Sequence, residues 1–302
     1  SFLAPPADSV HKGARVAVIP FGLEKTTSYG KGTRSGPSAI IGASHDVEFL
    51  DEETGEEPYR CGIITLEEPV APIAAMGHEE AIEYLYALVS GVARGEYPGI
   101  NALKKPAFPL VLGGEHSLTV GAVKALSDLY GPIHILHFDA HSDFRAAYEG
   151  SEFSHACAMT LCLPYAAQII SVGIRSHARE AREVVERHQE KINIFWDRYD
   201  IRRRGSAGVP WVAESLIELL QGKKVYLTFD VDVLDGGTIG SSTGTPEPGG
   251  LSYNEVLDLW SRVLPHVDLV GADFVELSPI AGQHAPDFAV ARLVYKLIGY
   301  VK

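Results

Sequence analysis

Residues 137–143 read His-Phe-Asp-Ala-His-Ser-Asp and close an apolar run that begins at Ile133. A short apolar run that stops abruptly at ionisable residues reads as a buried strand whose carboxyl end opens on a site. In an extended segment alternate side chains share a face, so Asp139, His141 and Asp143 fall on one side if the extension continues past Asp139. Two carboxylates and an imidazole so placed repel or desolvate one another unless a cation lies between them. A carboxylate-rich mixed set suits a hard divalent ion such as Mn²⁺. A polar loop closing a strand is the plainer alternative for this stretch taken alone.

Three other stretches repeat the pattern. The strand-like run Phe108–Leu112 leads into Gly113-Gly114-Glu115-His116-Ser117, Lys224–Phe229 into Asp230-Val231-Asp232, and Val267–Val275 into Glu276. Any one of these ionisable residues is open to explanation as a core polar group or a helix cap. Four apolar runs ending alike are hard to explain as independent accidents. Asp230 and Asp232, two apart, share a face of an extended strand, and a buried aspartate pair demands a counter-charge. Gly113 and Gly114 let the backbone pass close to the site before His116 turns inward. The set His116, Asp139, His141, Asp143, Asp230 and Asp232 exceeds what one catalytic ion with an open position takes from protein, so two ions are expected.

Further runs extend the alternation. Arg15–Pro20, Cys61–Leu66, Ile169–Ile174 and Ile192–Trp196 read as strands, while 78–94, 118–129, 178–189, 211–220 and 288–298 carry helical spacing. Pro37 stands near the start of a helix opening at Ser38. The segment Asp51–Pro58 reads as a solvated acidic turn. The Gly-rich loop 26–37 lacks the spacing of a nucleotide-binding fingerprint. About eight strands alternating with helices argue for a largely parallel sheet covered on both faces, and an eightfold barrel stays open on periodicity alone. No repeat or long linker divides the pattern, so residues 1–302 are read as one domain.

The 302 residues are 46% hydrophobic, enough for a large core. With 26 basic and 39 acidic residues, a formal charge of −13 argues against nucleic acid and favours small cationic partners. Three cysteines, 61, 157 and 162, fit a reducing cytoplasm rather than a disulfide scaffold. Cys157 and Cys162 are read as small buried residues. Ser1–Lys12 lacks the pattern of a secretory leader and no apolar run is long enough to span a membrane. His45, His78 and His177 are read as surface or capping residues, and His137 as packing or support for the site.

The motifs GGEHS, FDAHSDF, SHACAM, FDVDVLD, TGTPEPGGL and VELSP, in this order and preceded by PFG…TTSYGKGTRSGPSAI, resemble the manganese-dependent ureohydrolases, the arginase and agmatinase superfamily. The resemblance covers nearly the whole chain. It implies a three-layer α/β/α sandwich with a mainly parallel eight-stranded sheet rather than a barrel. It further implies two Mn²⁺ per chain, one held by His116, Asp139, Asp143 and Asp230, the other by Asp139, His141, Asp230 and Asp232. Asp143 would pass a proton to the leaving amine, and His155 of SHACAM would shuttle protons. Glu276 would pair bidentately with the substrate guanidinium, and Thr245 of TGTP would orient Glu276 or the substrate. Relatives form trimers and hexamers, so the resemblance implies a homo-oligomer. Histone deacetylases resemble the same fold but use a single zinc, and the full Asp139, His141, Asp143 set with His116 favours two ions.

The segment FRAAYEG at 144–150 is closer to agmatinases than to arginases, so the expected reaction is hydrolysis of agmatine to putrescine and urea. Guanidinobutyrase or arginase activity and a non-catalytic metal-binding paralogue are the alternatives. Arg145 is an awkward neighbour for a substrate amine and would welcome a carboxylate, unless Glu149 or Glu152 pairs with it. The loop Asp235–Ser242 departs from the family's pattern and leaves the pocket's shape there open.

Overall fold

Alternation within the strands sets the layers. Val16 and Val18 pack into one apolar cluster while Ala17, Ile19 and Phe21 pack into another. Leu110 and Leu112 likewise oppose Val111, and Val225, Leu227 and Phe229 oppose Tyr226. These strands are therefore buried on both faces, as a sheet covered on two sides by helices requires. The computed structural model describes residues 1–5, 13–98, 100, 103 and 105–301. The leader reading of 1–12 and the loop expected over 95–106 lie partly outside those residues.

The strands are β1 Val16–Phe21, β2 Ile63–Thr65, β3 Phe108–Gly113, β4 Ile133–Phe138, β5 Ala166–Ile174, β6 Ile192–Trp196, β7 Lys224–Asp230 and β8 Asp268–Val275. The α-helices are α1 Gly36–Ser44, α2 Val70–Ala75, α3 His78–Arg94, α4 Thr119–Tyr130, α5 Ala158–Cys162, α6 Arg179–Arg187, α7 Gly208–Leu220, α8 Tyr253–Val263 and α9 His284–Ile298. All eight strands join one parallel sheet in the order β2-β1-β3-β8-β7-β4-β5-β6. Helices α1, α7, α8 and α9 cover one face and α3 to α6 the other, giving the α/β/α sandwich. Among the described residues no helix is long and apolar enough to cross a membrane.

The strand order positions the site. The chain lays down β3, crosses to β4, continues outward to β6, and then returns to fill the gap with β7 and β8. Ligands in open α/β sheets gather at the carboxyl ends of the strands where the winding direction reverses. The four strands that the sequence ends with ionisable residues, β3, β8, β7 and β4, are consecutive neighbours there.

Several expectations need correction. Helix α8 was not anticipated, although Ser252 caps it and Glu255 returns the bond to the Ser252 backbone. Its Trp260 sets an indole edge against Phe229 at 5.6 Å and against Phe138 and Phe274 at 6.3 Å, so it anchors one face of the sheet. Helix α1 begins at Gly36, two residues before Ser38. The acidic turn is not simply solvated. Asp51 is buried and meets the buried Lys296 ammonium of α9 at 3.0 Å, with Glu52 and Glu53 at 3.2 and 3.4 Å.

Candidate active site

The central stretch converges by a different local route from the one the alternation suggests. Strand β4 ends at Phe138, and Asp143 adopts a left-handed backbone with φ 51°. Asp230 ends β7 and Val231–Val233 form a 3₁₀ turn, so Asp230 and Asp232 do not lie on one extended strand. Glu276 is also left-handed, at φ 64°. Non-glycine residues adopt that region at a cost, and such strain collects at functional sites.

These turns place the side chains together. His116 Nδ1 lies 3.2 Å from Asp139 Oδ2, 3.2 Å from Asp143 Oδ2 and 3.4 Å from Asp230 Oδ2. It is fully buried yet makes no aligned hydrogen bond, while Nε2 meets the Thr228 hydroxyl at 2.9 Å. Beside it, His141 Nδ1 lies 2.8 Å from Asp232 Oδ2 and 3.7 Å from Asp139 Oδ1. Asp139 therefore faces both imidazoles.

Backbone amides hold the carboxylates in place. Asp232 N–H donates to Asp230 Oδ1, Ala140 N–H to Asp232 Oδ1 and His141 N–H to Asp139 Oδ1. His137 is buried, with Nε2 2.8 Å from Asp139 Oδ2 and Nδ1 2.9 Å from Ser171 Oγ, which agrees with a supporting role. Gly114 is required by close approach, since a Cβ there would collide with the Leu23 carbonyl.

The electrostatics describe a cluster short of positive charge. Burial, then the charges of Asp232 and Asp139, push Asp230 well above the usual carboxylate range, and burial with Asp139 raises Asp232. Burial would raise Asp139 too, but the three imidazoles that face it, His116, His137 and His141, outweigh it and hold that carboxyl low. Burial opposes a charge on His141, but Asp232 and Asp139 overcome it and drive the imidazole up to about 12. An orphaned buried nitrogen among three carboxylate oxygens, next to a second imidazole–carboxylate set, fits divalent cations by donor chemistry. His116, His137 and Asp139 form one such group, and Asp139, His141 and Asp232 another.

The cluster forms the floor of a cleft whose walls include Ser28, Arg145, Tyr148, His155, Thr245 and Glu276. Glu276 is 8% exposed and accepts the His116 N–H on Oε1 at 2.7 Å, so only Oε2 is uncommitted. Burial and the neighbouring Glu115 push its pKa well up. Thr245 lies on the wall but makes no hydrogen bond to Glu276. Arg145 pairs with Glu180 at 3.2 Å, not with Glu149 or Glu152, and its guanidinium sits 5.0 Å from the Tyr148 ring centre.

The sequence reading missed other residues. Arg175 donates to the carbonyl oxygens of Asp232, Gly173 and Glu247, pinning the loops that follow β5 and β7. Glu115 is fully buried and accepts from Lys25 and Thr26 amides and from the Thr26 and Ser117 hydroxyls. His78 is not a surface residue: Nε2 lies 2.8 Å from Ser117 Oγ and 3.2 Å from Glu115 Oε1. His177 is also partly buried, 2.8 Å from Ser142 Oγ and edge-on to Trp196. The exposed His45 does stay at the surface, near the Ser1 carbonyl.

Residues 14–299 match the family model described as Arginase family. The chain belongs to the arginase family. It is 34% identical over 301 residues to an N(1)-aminopropylagmatine ureohydrolase of Synechocystis sp., covering 99% of this chain and 93% of the relative. It is 30% identical over 300 residues to a Bacillus cereus agmatinase, covering 96% and 93% of the two chains. The agmatine ureohydrolase structure of Thermoplasma volcanium superposes with a TM-score of 0.78 at 28% identity, covering 97% of this chain and 92% of that one. The protein is thus an arginase-family ureohydrolase, a hydrolase of amidine bonds acting on guanidino compounds.

Proposed function

We propose that this ureohydrolase releases urea from a linear guanidinoalkylamine, with N(1)-aminopropylagmatine preferred over agmatine. One observation carries the chemistry: the orphaned His116 Nδ1 facing three carboxylate oxygens beside the His141–Asp232 pair. The sequence expectation was agmatine, and the shift to the longer polyamine rests on the Synechocystis relative's 34% identity against 30% for the agmatinase. At the mouth, Glu180 and the Tyr148 face occupy the Arg145 cation, which argues against a carboxylate-tailed substrate such as guanidinobutyrate.

His116, Asp139, Asp143 and Asp230 would hold one Mn²⁺, and Asp139, His141, Asp230 and Asp232 the other, with Asp139 and Asp230 shared. Bound there, the ions would supply a water of lowered pKa and electrostatic stabilisation of the charge that develops on the guanidine. Glu276 Oε2 takes a guanidinium N–H, and the Oε1 tie to the His116 backbone keeps that oxygen aimed. Asp143 accepts the nucleophile's proton and returns it to the leaving nitrogen, while His155 exchanges protons between the cleft and solvent. Three unpaired cysteines support a reducing compartment such as the cytoplasm, and the family resemblance supports a homo-oligomer of this single-domain chain.

The test is a panel of N(1)-aminopropylagmatine, agmatine, arginine and guanidinobutyrate with Mn²⁺-loaded protein, read as urea and amine product. The proposal expects kcat/KM to fall in the order given. Arginine or guanidinobutyrate as the fastest substrate would overturn it, the latter pointing to Arg145. Elemental analysis finding one tightly held zinc per chain would overturn the two-ion reading.

A further inference from the structure

The cleft histidine is tied to a buried carboxylate through a hydroxyl. Thr26 Oγ1 lies 2.9 Å from Glu115 Oε1, 3.3 Å from His155 Nδ1 and 3.1 Å from the His155 backbone N–H. Both Glu115 oxygens act as acceptors, Oε2 from the Lys25 and Thr26 backbone N–H groups and Oε1 from the Ser117 hydroxyl, so the single Thr26 proton goes to Oε1. The Thr26 oxygen then has lone pairs to offer, and His155 must present N–H groups to them. Ser117 Oγ donates to the same Glu115 oxygen at 2.6 Å and so accepts from His78, which leaves no second proton to reverse the chain. Ser154 Oγ, at 3.4 Å from His155 Nδ1, is the weaker neighbour.

We propose that Thr26 and Glu115 are positioning residues that fix His155 in the Nδ1–H tautomer, leaving the Nε2 lone pair to face the cleft. Ser28 Oγ, 3.3 Å from Nε2, marks the direction from which a proton arrives. The proposal rests on the reading of His155 as proton carrier. In each exchange Nε2 takes one proton and later gives the same proton up. The Nδ1–H bond is neither made nor broken, and the carboxylate two bonds away stabilises the imidazolium in between. The logic is that of a carboxylate orienting a catalytic imidazole, with a hydroxyl interposed. Glu115 is brought there by the neighbouring β1 and β3, whose following loops run side by side: Glu115 N–H donates to the Leu23 carbonyl.

The experiment is ¹⁵N NMR of the imidazole nitrogens in the full chain loaded with diamagnetic Mg²⁺, the His155 signals being assigned by their loss in His155→Ala. The native protein is expected to show a protonated Nδ1 and a bare Nε2. Thr26→Val is expected to move the proton toward Nε2 and to lower kcat for urea release with Mn²⁺ about tenfold with KM unchanged, part of the factor that a placed acid–base group supplies. Thr26→Ser should restore both. A native spectrum with Nε2 protonated, or Thr26→Ser as impaired as Thr26→Val, would overturn the assignment, and the native spectrum needs no variant to fold. The expected tautomer in a protein that releases urea from no guanidine would support this assignment while refuting the proposed activity.

Discussion

Substituting Glu276 by Gln separates what the carboxylate does for substrate from what it does for the fold. Gln keeps an oxygen for the His116 N–H that now donates to Oε1 at 2.7 Å, so the left-handed turn at 276 and the placement of His116 survive. What disappears is the negative charge on which the proposed guanidinium contact relies, in a site where Glu276 is only 8% exposed. Breaking one partner of a buried, hydrogen-bonded charge pair costs roughly 2–5 kcal/mol. Since Gln's one oxygen is held by the His116 N–H and its NH₂ then faces the guanidinium, no acceptor remains for the substrate, and about 3 kcal/mol, within that range, is the fitting figure. That corresponds to a loss of roughly a hundredfold or slightly more in kcat/KM for the guanidine substrate.

The same change should stabilise the metal-free protein. Burial and Glu115 raise the folded-state pKa of Glu276 above its unfolded value. Such a group contributes stability that is fully present below the ordinary carboxylate pKa and is lost as pH rises through the folded value. Gln cannot ionise, so metal-free Glu276→Gln should melt above the native chain at pH 8, with the gap closing toward pH 4. Urea-release kinetics and thermal melts over that range make the check. A variant within threefold of native kcat/KM would refute the guanidinium role, and one that melts lower at pH 8 would refute the account of its burial.

Asp230→Asn is expected to lose metal and activity together, whereas His155→Ala keeps metal and loses rate; equal metal loss in both, by elemental analysis, would contradict the separation. Lys296→Met removes an ammonium buried against Asp51 at 3.0 Å. Because Glu53 N–H still donates to Asp51, the cost should fall below the usual penalty for breaking a buried pair, at about 2–3 kcal/mol in urea unfolding. A cost under about 0.5 kcal/mol would place that pair with ordinary surface bridges. The gain in Tm on adding Mn²⁺ should grow from pH 6 to pH 9. Asp230 and Asp232, raised when folded, lose their stabilising protons as pH rises, and His141, raised to about 12, keeps its proton in the metal-free fold but contributes less stability as pH climbs above its ordinary value. A gain that is flat or falling with pH would count against cation binding at this cluster.

The strand ends were legible because each lies at the end of a run buried on both faces, where apolar continuity needs no tertiary information. Helix α8 was legible too and went unread. Val256, Leu259, Trp260 and Val263 keep helical spacing, and Ser252 stands three residues before Glu255, but the segment is short and directly follows the Gly- and Pro-rich 244–250. Glu115 and Thr26 were not legible in the same way. Their meeting depends on β1 lying beside β3, which brings residues 89 positions apart into hydrogen-bond contact. Arg145 shows the limit from the other side: local spacing nominated Glu149 and Glu152, and the chain supplied Glu180 from α6 instead. Asp143 reached the expected cluster by a left-handed turn that no alternation rule contains.

The order in which the sheet is wound has a consequence for how the site comes into being. β3 and β4 follow one another in the chain but are separated in the sheet by β7 and β8, which are made last. His116 and Asp139 therefore stand on strands that are joined through the two returning strands, which carry Asp230 and Glu276 between them. A chain lacking β7 and β8 would have neither the sheet's middle nor the third carboxylate facing His116 Nδ1. The burial that makes the carboxylates demand a counter-ion is created by the same strands that complete the cluster. The ionisable residues at the ends of the four central strands thus sit where the middle of the sheet and the middle of the cluster are supplied by the same two strands.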